Sequence, residues 1–143
     1  MTGLKEVRSL QNDLMFGLSQ EDSVIEKLTV YFEDNIKSSK SLGLGHNCPY
    51  DAISSNTKYE IKSRRCGYKQ YDTTIVPVHK VRNITDRLIF VFHFTDGLYY
   101  IVYEEELFKT FEIKELKIWR RGINDKPTNH FYIPIQNLIK IEI

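Results

Sequence analysis

Within the stretch Cys48 to Arg65 stand two carboxylates and an amine, Asp51, Glu60 and Lys62, at a spacing that suits a shared cation site. Two short strand-like runs, Tyr50 to Ile53 and Lys58 to Ser63, flank the polar tetrad Ser54-Ser55-Asn56-Thr57, a composition suited to a tight connection. The pair predicts a β-hairpin. A turn centred between Ser55 and Asn56 sets Ile53 opposite Lys58, Ala52 opposite Tyr59 and Asp51 opposite Glu60. Opposed residues of an antiparallel pair share a face, with Cβ atoms roughly 5 Å apart, close enough for two carboxylates to bind one divalent cation. Lys62, two residues beyond Glu60, returns to that face, while Tyr59 and Ile61 point to the other, which is expected to be buried. Like charges set opposite one another destabilise a bare hairpin, and a bound cation removes that repulsion. The competing reading is an ordinary surface ladder in which Lys58 and Lys62 answer the two acids.

The run Pro49-Tyr50-Asp51, then eight residues, then Glu60-Ile61-Lys62 resembles the metal-dependent PD-(D/E)XK nuclease superfamily, which includes many restriction enzymes and Holliday-junction resolvases. Tyr50 here separates the proline from the aspartate. The resemblance implies an α/β fold with a restriction-endonuclease-like core, a mixed central β-sheet flanked by helices. By the same resemblance Asp51 and Glu60 are metal ligands, the Ile61 backbone carbonyl is a third, and Lys62 is the catalytic lysine. Glu21 lies four residues before Ile25, on the same side of a predicted helix. Read locally, it is an acid near a helix N-terminus, where negative charge is favourable. Read through the resemblance, it is the glutamate of the helix preceding the acidic hairpin and reaches the metal through water.

The chemistry implied is metal-dependent hydrolysis of a phosphodiester, with Mg²⁺ as cofactor and Mn²⁺ as a substitute. The substrate implied is DNA, with RNA second. A phosphodiester repels an attacking hydroxide, and cleavage builds more charge on its oxygens, so cations must gather around it. Adjacent carboxylates favour the ammonium form of Lys62, which suits it to stabilising that charge. A restriction-like enzyme or junction resolvase implies a homodimer with paired sites. The alternative function is a nucleic-acid-binding protein that keeps the fold without turnover.

Composition bounds these readings. A chain of 143 residues, 41% hydrophobic and 27% charged, predicts one globular domain over residues 1–143. A net charge of only +1 gives no global pull on nucleic acid, so local clusters must do it: Arg64-Arg65-Lys69, Lys80-Arg82 and Arg120-Arg121. Of these, Arg64, Arg65, Lys69, Lys80 and Arg82 are the candidate nucleic-acid contacts. Two cysteines, no secretory leader and no transmembrane-length apolar run point to an intracellular protein of the cytoplasm or nucleus with free thiols and no membrane partner. His46, Cys48 and Cys66 lack zinc-site spacing.

The elements that must position the hairpin follow from periodicity. Leu4 to Leu14 predicts a short helix, and Ser19 caps a second that runs from Gln20 to about Lys37 with Ile25, Leu28, Phe32 and Ile36 on its core face. Ser38 to Asn47 is a glycine- and serine-rich loop. Thr73 to Val78 predicts a strand stopped by Pro77, and His79 to Ile84 a helical turn. Leu88 to Phe94 is almost continuously apolar, as a central strand should be, and Thr95-Asp96-Gly97 turns it back into Leu98 to Tyr103. Glu104 to Glu106 begins a solvated helix or loop, since three adjacent acids cannot face one cation. Leu116 to Trp119 and Phe131 to Ile133 predict strands around a turn at Asp125 to Asn129, and Ile135 to Ile143 covers an edge.

Overall fold

A computed structural model of the chain describes residues 21–43, 50–116, 119–120, 123–124 and 127–142. The first helix, the Ser19 cap, His46, Cys48 and most of the turn before Thr128 lie outside the described residues, as do the side chains of Trp119 and Arg120.

Leu88 to Phe94 becomes β5, Arg87–Phe94, with Leu88 through Phe92 buried on both of its faces. Such a run needs cover above and below. On one side lies β3, Thr57–Ser63, parallel to β5, with Tyr59 beside Ile89 and Glu60 beside Phe90. On the other lies β6, Gly97–Val102, antiparallel and joined through the predicted Asp96-Gly97 turn, where Gly97 has φ 158°. Beyond β3 come β2, Ala52–Ile53, and β1, Lys37–Ser38; beyond β6 comes β11, Ile139–Lys140. The result is a six-stranded mixed sheet in the order β1-β2-β3-β5-β6-β11. The C-terminal segment therefore covers an edge, as its composition suggested.

Alternation divides the core in two. Tyr59, Ile89 and Val91 face helix α1, residues 21–32, whose Val24, Ile25 and Leu28 pack on them. Leu88, Phe90 and Phe92 face the other way, onto Val76, Phe131 and Ile133. These belong to β4, Thr73–Pro77, and β10, Thr128–Pro134, which with β7, Glu112–Leu116, form a three-stranded antiparallel sheet. The fold is thus mixed α/β around a mixed sheet. Among the described residues helix α1 flanks one face of the sheet, and the second face is covered by β-structure. The only other regular helix among the described residues is the single turn α2, Glu105–Phe108, which exposes its acids and buries Phe108. A two-stranded pair, β8 (Trp119–Arg120) and β9 (Ile123–Asn124), completes the described strands.

The second helix ends sooner than predicted. Glu33 takes a left-handed φ of 49°, and Ile36 stays buried but on extended chain leading into β1. The tyrosine hydroxyl of Tyr59 donates to Asp34 Oδ2 at 2.8 Å, and Lys37 pairs with Ile53, so the chain must leave the helix to meet the hairpin. Predicted helical turn His79 to Ile84 appears as a 3-10 turn, Val78–Val81.

Candidate active site

The hairpin has the predicted register: Ile53 opposite Lys58 and Ala52 opposite Tyr59. Pairing then changes character at Asp51. Its amide donates to the Tyr59 carbonyl at 3.1 Å, while its own Oδ2 accepts the Ile61 amide at 2.8 Å. A side chain has taken the place a backbone carbonyl would hold in a longer ladder, which fixes the carboxylate against β3. Ser39, buried just after β1, holds this segment from behind. Its Oγ lies 2.5 Å from the Tyr50 carbonyl and 2.8 Å from that of Asp51, its single hydrogen shared between them, and its amide donates to Asp51 O at 3.0 Å.

Glu60 is only 2% exposed, although it faces the same side as the apolar Phe90. A buried charge needs partners. It has two: Lys80 Nζ at 2.9 Å and Lys62 Nζ at 3.3 Å, both on Oε2. Lys80 comes from the 3-10 turn after β4, and Tyr50 steadies it by donating its hydroxyl to the Lys80 carbonyl at 2.8 Å, with the ammonium 5.9 Å from its ring centre.

The acids sense one another. Burial, then the charge of Glu60 and a hydrogen bond with it, push Asp51 up to about 7; Glu21 adds to the effect and the Ile61 amide opposes it. Burial also raises Glu21, relieved by Lys40 and reinforced by Asp22 and Glu60. Near neutral pH Asp51 is therefore partly protonated. Of the residues chosen from the sequence, Asp51 and Lys62 both lie against Glu60, and Glu21 is near enough for its charge to act on Asp51.

The remaining candidates are distributed differently. Lys80, read as a phosphate contact, sits in the Glu60 cluster. Arg64 lies one turn of the β3 alternation past Lys62, its guanidinium 5.7 Å from the Phe92 ring centre. It donates from Nε to Thr74 Oγ1 at 3.2 Å and from Nη2 to the Ile75 carbonyl at 2.6 Å, bridging the two sheets. Arg65, Lys69 and Arg82 are exposed. Lys58 pairs with Asp86 at 3.6 Å rather than with the site acids, so of the surface ladder only the Lys62 rung exists. The residue whose role the sequence hid is Lys80: nothing in Val78-His79-Lys80 marks it as the partner of an acid twenty positions earlier.

No family model, no curated protein and no solved structure matches this chain. Among the described residues no helix is long and apolar enough to cross a membrane. Nor do three or more His, Cys, Asp or Glu side chains there already stand together as a metal cage. The donor set at the hairpin is all oxygen, Asp51 and Glu60 carboxylates beside the Ile61 carbonyl. Hard divalent cations such as Mg²⁺ prefer such ligands and commonly use one or two carboxylates with water. The mutual repulsion that lifts Asp51 is what a cation would relieve, so these residues fit one.

Proposed function

We propose that this chain is a Mg²⁺-dependent nuclease that hydrolyses phosphodiester bonds, with DNA as the preferred substrate. The observation that supports it most is the convergence of Asp51 and Glu60 with the ammoniums of Lys62 and Lys80 at one end of an acidic hairpin. Mixed-sheet topology, with the hairpin on β2 and β3 and the acid Glu21 on α1, supports a restriction-endonuclease-like core. Asp51, Glu60 and the Ile61 carbonyl would hold the cation, with Glu21 acting through water. Bound Mg²⁺, or Mn²⁺ in its place, would neutralise phosphoryl charge and make water a better nucleophile.

The chain's own groups supply the rest. Asp51 must lose its proton to act as a ligand, so cation affinity rises with pH through about 7. Lys62 is the more exposed of the two lysines on Glu60 and can swing to a non-bridging oxygen of the substrate. Lys80, anchored through Tyr50, holds Glu60 in place while that happens. Arg65, Lys69 and Arg82 offer exposed cations for flanking phosphates. A homodimer would pair two such sites for double-strand or junction cleavage, within the cell.

A second reading rests on the same ion pairs. With two ammoniums already on Glu60, the cluster is satisfied without a cation, which favours a nucleic-acid-binding protein that does not turn over. Duplex, branched and single-stranded DNA and RNA incubated with EDTA, Mg²⁺ or Mn²⁺ separate the two. Products that need metal and vanish in Asp51→Ala support the nuclease; retention of the nucleic acid with no products under any condition supports the binder.

A further inference from the structure

Arg64 is a cation largely withdrawn from water, and no carboxylate answers it. Burial depresses its pKa, with only the Cys66 thiol acting against that, and both of its protein hydrogen bonds go to neutral oxygens. Among the described residues Nη1 has no hydrogen-bond partner. The side chain borders a cavity of about 260 Å³ between the two sheets, walled also by Cys66, Tyr68, Tyr71 and Phe94. This cavity adjoins a groove of about 560 Å³ that shares Tyr68, Thr73 and Ile135 with it and adds both Lys69 and Asp72. A partly buried guanidinium without a carboxylate partner, on a residue that lines this cavity, is an anion site in waiting.

The walls say which anion. Tyr68 is locked, stacked on Tyr99 at 4.0 Å between ring centres and donating its hydroxyl to the Ile135 carbonyl at 2.8 Å. Tyr71, at the rim, is 61% exposed, with its hydroxyl accepting from Gln70 Nε2 at 3.5 Å. A fixed ring, an exposed ring and a fork of N–H donors suit a base and its phosphate. Position agrees with this. The Arg64 amide continues the β3–β5 ladder by donating to His93 O at 2.8 Å, so Arg64 follows Glu60 and Lys62 along one strand face, roughly 7 Å beyond Lys62.

We infer that the cavity between the sheets takes one nucleotide unit of a nucleic acid strand, its phosphate on Arg64 and its base against Tyr68 and Tyr71, next to the phosphodiester held at Lys62. The site thereby favours a strand whose bases are unpaired at that point, because a base inside a duplex cannot enter a cavity between two sheets. This rests on the nuclease reading for its neighbour but not for its own chemistry, so it is tested with EDTA present and no cleavage possible.

The full chain is titrated by calorimetry with adenosine 5′-monophosphate, adenosine and inorganic phosphate. Expected is saturable binding of the monophosphate, with the other two weaker by roughly ten-fold or more, since each lacks half of the contacts. Arg64→Gln should weaken the monophosphate by about ten-fold or more, and Tyr71→Ala by about five-fold or more. If Arg64→Gln does not fold, Tyr71→Ala, on an exposed side chain, decides. A short single-stranded oligonucleotide should displace the monophosphate, and the matching duplex should do so far less well. No saturable binding, equal binding of adenosine and its monophosphate, or a folded Arg64→Gln with unchanged affinity overturns the site. Monophosphate that a strand cannot displace overturns the assignment to nucleic acid. Metal-dependent cleavage with no monophosphate binding removes this inference and leaves the nuclease standing.

Discussion

Glu60 and Arg64 lie on one face of one strand, four residues apart, and each withdraws a charge from water. They are resolved in opposite ways. Glu60 is answered by two ammoniums within 3.3 Å, from β3 itself and from the 3-10 turn after β4. Arg64 is answered only by a hydroxyl and a carbonyl. An acid so answered is a closed electrostatic unit, which a cation or a substrate phosphate enters by rearranging its lysines. A guanidinium so answered is open to any anion that reaches it. Along about 13 Å of strand the face therefore passes from a site that orders cations to one that invites phosphate.

The largest expected effect breaks that contrast at the acid end. Glu60→Gln leaves Lys62 and the largely buried Lys80 facing an amide, and the cost should be about 3–5 kcal/mol by chemical denaturation. Arg64→Met, which strands only neutral oxygens, should cost about 1–3 kcal/mol. Equal losses would mean that Glu60 is not held as an ionised acid. Next comes Lys62→Met. The variant should keep the fold and its cation affinity while single-turnover cleavage falls by about 10²–10³, the scale of losing one group aimed at developing charge. Cleavage at the wild-type rate would remove Lys62 from the chemistry.

A smaller effect is read in pH. Asp51 binds its proton more tightly folded, near 7, than unfolded, where its ordinary value is 3.8. Between those values the native state carries more protons, so this group contributes stability below about pH 4 that is lost as pH rises through about 7. Urea midpoints measured from pH 4 to 8 in EDTA should fall more steeply for the wild type than for Asp51→Asn. Saturating Mg²⁺ should flatten the slope, because a bound cation replaces the proton on Asp51. Parallel slopes would place Asp51 outside the crowded pair.

What was legible in the sequence was what depends on nearest neighbours. Strand alternation and one polar turn set the hairpin register, and the apolar run of Leu88 to Phe94 with its Asp96-Gly97 turn set the centre of the sheet. Those local rules were enough to bring Asp51, Glu60 and Lys62 together. Features that depend on distant cover were not legible. The burial of Glu60 arises because β4 and β10 close over its face, and β7 escaped notice because Glu-Ile-Lys-Glu-Leu, exposed along nearly its whole length, carries no apolar alternation. Lys80 looked like any surface lysine for the same reason, since its role exists only once the second sheet brings its turn to Glu60. Helix α1 overran in the prediction because Ile36 stays buried after the helix has ended, so its periodicity gave no stop.

The most direct measurement is Mn²⁺ binding, followed by electron paramagnetic resonance at pH 8, where Asp51 is largely ionised. Expected is a saturable site that Mg²⁺ displaces and that is lost in Asp51→Asn and in Glu60→Gln, while Lys62→Met retains it. A folded protein that binds no Mn²⁺, or binds it equally in all three variants, would contradict a cation centre at this hairpin.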